Sequence, residues 1–92
     1  MAVAFRGAIH ADSDTAVSDA ARRFETSTKK LTWAAIQVTT QAQVFGDSSS
    51  QPVSYAAGAT FELQNVDIST LYFKNAAAGQ NGTVSIVGIL AE

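Results

Sequence analysis

The one histidine of the chain, His10, stands in the run His10-Ala11-Asp12-Ser13. Histidine, carboxylate and hydroxyl are the residue types of a hydrolytic triad. A triad converges from separate elements held on a rigid frame, whereas these residues adjoin one another, so a solvated histidine is the expectation. Asp12 and Asp14 could touch a cation, but the EF-hand pattern fails, because neither its glycine nor its terminal glutamate is in place. They read as an acidic pair on the surface. The glycines are scattered and none precedes a Lys-Ser or Lys-Thr pair, so no phosphate loop is present. No catalytic, metal or cofactor set emerges, and the chain reads as a non-enzyme.

Two basic pairs remain, Arg22-Arg23 and Lys29-Lys30. Either they lie solvated or ion-paired on the surface, or they dock onto an acidic protein partner, where complementary charge sets register. Trp33, Phe45 and Tyr72 have the flat faces that stack on sugars, but no matching set of acids and amides accompanies them. Core or interface is their default role. Asn81-Gly82-Thr83 fits the glycosylation acceptor pattern, yet the same residues fit a tight hairpin turn, which is the reading preferred here.

The elements that must position these residues are strands. Phe61 and Leu63 alternate with Glu62 and Gln64, Leu71 and Phe73 with Tyr72 and Lys74, and the run Thr83 to Leu90 alternates throughout. A period of two marks a sheet with one face toward a core. Leu31 to Thr40 is rich in β-branched and aromatic residues, with Ala34, Ile36 and Val38 on one face and Leu31 and Trp33 on the other. Gln41 to Asp47 and Val53 to Ala56 supply shorter strands. Pro52 belongs at a strand start or edge. Asn65 to Thr70 reads as a connection and Ala76 to Gln80 as a loop of small residues. The expected fold is therefore an all-β antiparallel sandwich over residues 29–92. Residues 1–28 form an extended N-terminal segment or arm. Within the arm, Val17, Ala20, Ala21 and Phe24 fall on one helical face, so a short helix around 14–25 and a strand both remain open.

Composition narrows the function classes. Ninety-two residues make one small domain, and with no cysteine there is no disulfide to supplement its core. Small scaffolds without staples often depend on oligomerisation. Six basic residues against eight acidic ones argue against a nucleic-acid partner, which would need a basic face. Met1 to Ile9 is a short apolar run interrupted by Arg6, unlike a signal peptide, and no stretch reaches the roughly 20 apolar residues of a membrane helix. A cytoplasmic site of assembly is the expectation.

The apolar residues exceed what one core face can use. Ala34, Ile36, Val38, Val44, Phe61, Leu63, Leu71, Phe73, Val84, Ile86 and Leu90 make a sufficient core. Trp33, Phe45, Tyr72, Val87 and Ile89 point the other way. Leaving such side chains in water forgoes about 1.5–3 kcal/mol each. Either a second sheet covers them within the subunit, or they form a self-association surface.

Five runs carry a family resemblance: Lys30-Leu-Thr-Trp-Ala-Ala-Ile-Gln-Val, Val44-Phe-Gly-Asp-Ser, Ala57-Gly-Ala-Thr-Phe-Glu-Leu, Asp67-Ile-Ser-Thr-Leu-Tyr-Phe and Gly82-Thr-Val-Ser-Ile-Val-Gly. Together they resemble the small head-decoration (cement) proteins and related minor structural proteins of tailed bacteriophages. The resemblance implies a jelly-roll-like sandwich, often a homotrimer, that binds the major capsid protein and bridges capsomers on the virion surface. It also implies an extended N-terminal segment. On this reading Phe5, Arg6, His10, Arg22, Arg23, Lys29 and Lys30 would dock on the capsid. Trp33, Phe45, Tyr72, Val87 and Ile89 would hold the oligomer together. Similar sandwiches occur in phage tails and fibres, so a module binding host carbohydrate or protein is the alternative.

Overall fold

The computed structural model describes residues 8–15 and 17–91. Seven strands follow in order: β1 (Ile9–Asp14), β2 (Lys30–Thr39), β3 (Gln43–Gly46), β4 (Val53–Tyr55), β5 (Thr60–Asp67), β6 (Tyr72–Asn75) and β7 (Thr83–Leu90). A 3-10 turn, Ile68–Thr70, separates β5 from β6. The strands form two antiparallel sheets, one of four strands in the order β1-β7-β2-β5 and one of three in the order β4-β3-β6. The all-β sandwich expected from the alternation is the fold observed. Its seven described strands are one fewer than the eight of a jelly roll.

The core lies between the sheets. Ala34, Ile36 and Val38 of β2 and Val84 and Ile86 of β7 face Phe45 of β3 and Phe73 of β6. Phe61 of β5 and Tyr55 of β4 stack with ring centroids 4.2 Å apart and close the gap along one side. Both sheets present one apolar face and neither could bury it alone, which is why the two stack.

Five expectations are corrected by the structure. First, the sandwich begins by Ile9 rather than at residue 29, because β1 pairs along its length with β7 and Val17 is fully buried. Second, beyond Asp14, the last residue of β1, the described residues up to Glu25 form neither a helix nor a regular strand. Val17 and Phe24 of the apparent helical stripe reach the core, but Ala20 and Ala21 are exposed. Alanine offers too little area to hold a helix down. Instead the backbone runs along β6, with Arg22 exchanging both amide bonds with Phe73 and Ser18 accepting from the Asn75 N–H.

Third, Leu31 does not share a face with Trp33. The pairing with β7 shifts between Leu31 and Trp33, so Thr32 is a bulge. An extra residue reverses the phase of everything before it. Leu31 is thereby turned inward and is 1% exposed, while Trp33 faces out. Fourth, Asn81-Gly82 is not a two-residue hairpin, since β6 and β7 belong to different sheets and the chain crosses between them there. The connection expected at 65–70 is also shorter, since β5 continues through Asn65 at a φ of 50° as far as Asp67.

Candidate interaction surface

The outer face of the four-stranded sheet is where the strand registers converge. Reading across β1, β7, β2 and β5, the first row is Ile9, Ile89, Trp33 and Gln64. The second is Ala11, Val87, Ala35 and Glu62, and the third is Ser13, Ser85, Gln37 and Thr60. Polarity thus runs from an aromatic and aliphatic row through a small aliphatic row to a row of hydroxyls and an amide. Ile9 is 64% exposed and Val87 42% exposed. Ile89, flanked by Ile9 and Trp33, is more enclosed.

Charge is nearly absent from this lattice. Glu62 is the one ionisable group in the three rows, and its carboxylate accepts the Trp33 indole N–H at 2.7 Å. The hydroxyls of Ser13 and Ser85 bond each other across the β1–β7 pair at 3.0 Å. A shallow depression of about 330 Å³ lies on this face, lined by Ala35, Gln37, Thr60, Ser85 and Val87 with Ile36 and Ile86 beneath. No titratable side chain lines it, and its polar groups are the Ser85 and Thr60 hydroxyls and the Gln37 amide.

At strand spacings of about 4.8 Å and row spacings of about 7 Å, the face measures roughly 20 by 20 Å. That is about half of the roughly 800 Å² that one partner contributes to a standard interface. A contact through this face alone is therefore weak, and would be effective only when repeated.

The residues expected to drive self-association divide three ways. Trp33, Val87 and Ile89 share this face. Phe45 does not: it is 3% exposed, in the core against Phe61, Phe73 and Tyr55. The phase of β3 was misread because Gln43, polar yet fully buried, shares its inward side, leaving Val44 outward. The Gln43 amide nitrogen donates there to Asn75 Oδ1 at 3.3 Å and to the Gln41 carbonyl at 3.4 Å, while its Oε1 meets no partner among the described residues. Tyr72 lies on the other sheet, with the Arg23 guanidinium 5.2 Å above its ring. Ile9 and Ala35 are the face residues that sequence reasoning missed. Their signal is alternation: Ile9 falls in the segment expected to be an arm, and Ala35, in phase with Trp33, was given no role.

The residues expected to dock on a capsid are not gathered into one patch. Phe5 and Arg6 lie outside the described residues. Arg22 pairs with Asp14 at 2.6 Å, Arg23 donates to the Ser69 carbonyl at 3.3 Å, and Lys29 pairs with Glu25 at 3.1 Å. Lys30 pairs in register with Asp67 across β2 and β5. His10 points to the inner side of β1, beside Glu25.

Three aspartates hold loops by accepting backbone N–H groups. Asp67 Oδ1 accepts from the Lys29 and Ser69 amides and the Ser69 hydroxyl at 2.8–3.1 Å. These donors, with Lys30 nearby, hold its carboxyl below the usual aspartate range. Asp47 is lowered likewise by the Ser49 and Ser50 amides, and Asp19 by the Asn75 side chain and the Gly79 amide. These are structural anchors at turns, and none of the three lines the depression.

Fold and surface together define an antiparallel β-sandwich with one largely uncharged sheet face. Compared with known proteins, no family model matches the chain and no curated protein is significantly similar to it.

Proposed function

We propose that this protein is a non-enzymatic structural subunit that assembles through the outer face of its four-stranded sheet. In this reading it is a decoration protein of a phage head, associating with copies of itself and with the major capsid protein on the virion surface. One observation carries the reading: a three-row sheet face with exposed Ile9 and Val87 and a single carboxylate already engaged by Trp33. Sheet faces that meet only water are polar at the alternate, outward positions, whereas two of the three rows here are largely apolar. This face instead supplies area that can be buried without leaving an ion unpaired. The virion setting is supported by the resemblance of the strand-forming runs.

The modest area of the face fits this role. A shell offers many equivalent sites, and weak contacts become effective when linked through a common scaffold. Light scattering after size exclusion tests the self-association, with a concentration-dependent oligomer as the expected result. Heating undecorated phage shells with and without the protein tests clamping, and no gain in shell melting temperature would reject the decoration role. A hit on a glycan array, with no oligomer, would favour the fibre-module alternative.

A further inference from the structure

We propose that His10, Asp12 and Glu25 form a binding site for a zinc-like first-row divalent cation, on the inner side of β1 and opposite the apolar face. His10 and Asp12 are two residues apart on one strand, so both side chains leave the same side. Register places them beside Gly88 and Ile86 of β7, the core-facing positions of that strand. Glu25 comes to the same place from the segment that crosses between the sheets. The ligand-type atoms of all three lie within 4.8 Å of one another, and His10 Nε2 is 3.7 Å from Glu25 Oε1.

A second observation points independently to a ligand. His10 Nε2 is fully enclosed yet meets no hydrogen-bond partner among the described residues. An enclosed ring nitrogen without a partner carries a desolvation cost. A cation at the centre of the three groups would give that nitrogen a bond in place of the water it has lost.

The donor chemistry selects the metal. One imidazole and two carboxylates suit zinc and its first-row neighbours, whereas calcium and magnesium take all-oxygen sets. Tetrahedral ligands around zinc stand about 3.4 Å apart, so closing the site needs side-chain movements of only about 1 Å. Asp12 is at the surface, so the remaining coordination position opens to solvent. Lys29 Nζ, 3.1 Å from Glu25 Oε1, neutralises the same carboxylate and would be displaced. The metal would tie an edge strand to the crossing segment, the kind of staple that a cysteine-free domain of this size lacks.

The test is titration of the whole protein with zinc chloride, followed by calorimetry and by thermal melting, with magnesium chloride as the control. The expected result is one-to-one binding of zinc, a melting temperature that rises with zinc, and no response to magnesium. His10→Ala should weaken binding at least tenfold. Asp12→Asn, at an exposed position that does not endanger folding, should do the same. Cobalt should give visible absorption bands that His10→Ala abolishes. No saturable zinc binding, or binding that both variants leave unchanged, would overturn the assignment. None of these readouts depends on self-association or on shells.

Discussion

The indole N–H of Trp33 donates to the carboxylate of Glu62, 2.7 Å away and diagonally across the β2–β5 pair. This bond engages the one charge in the three rows, and it fixes the one tryptophan of the chain in the most apolar row of the face. A diagonal pair on neighbouring strands is within reach for a long aromatic side chain. Because Trp33 is partly exposed, its emission reports directly on whether that face is covered.

Tryptophan emission should therefore shift to shorter wavelength as protein concentration rises and the face is buried. Val87→Asp, which places an unpaired carboxylate at the centre of the face, should abolish the shift and leave a monomer. Its thermal stability at low concentration should change little, since Val87 is 42% exposed in the lone subunit. Fluorescence and light scattering on the same samples check both points.

Phe73 is fully buried, with ring centroids of Phe24 and Phe45 at 4.8 and 5.9 Å. Phe73→Ala should cost about 3–5 kcal/mol, through lost burial and the cavity left behind. That is a large part of the roughly 5–15 kcal/mol of a typical domain. Urea denaturation should show a much lower midpoint or a largely unfolded chain.

Asp67 joins the start of β2 to the 3-10 turn by accepting from Lys29 and Ser69. Its carboxyl is held below the ordinary value of 3.8, so the native state favours the ionised form. The stabilisation is then fully present above about pH 3.8 and is lost as pH falls through the lower native value. Asp67→Asn should lower the melting temperature at neutral pH, and the gap to the parent should narrow below about pH 3.8. A melting series from pH 7 to pH 2.5 measures this.

Gly88 sits between β1 and β2 in the sheet, at an inward position with no room for a side chain. A Cβ there would meet the Trp33 carbonyl oxygen at 2.8 Å and Leu31 Cδ1 at 3.0 Å. The first is backbone of a central strand and cannot turn aside. Gly88→Ala should destabilise by about 1–3 kcal/mol, read as a lower urea midpoint.

Much of this fold is legible as period-two alternation. Val84, Ile86 and Phe73 turn inward as the pattern requires, and β2, β6 and β7 stand within a residue or so of where the sequence puts them. The misreadings arise where one residue breaks the rhythm. The bulge at Thr32 reverses the side of Leu31, and buried Gln43 disguises the inward side of β3. Neither event has a local signature: one depends on a neighbour strand's register, the other on an amide partner 32 positions away. The apolar face was legible in Trp33, Val87 and Ile89. Ile9 joins it only because β1 pairs with β7, nearly the full chain length away. Glu25 reaches His10 by a crossing that no spacing in the sequence encodes.

The segment from Ser18 to Arg22 caps the outward amides of Phe73 and Asn75 on β6. A further strand cannot dock along that rim of the smaller sheet without first stripping this cover away. Growth by edge-to-edge threading into a ribbon is blocked on that side of the molecule.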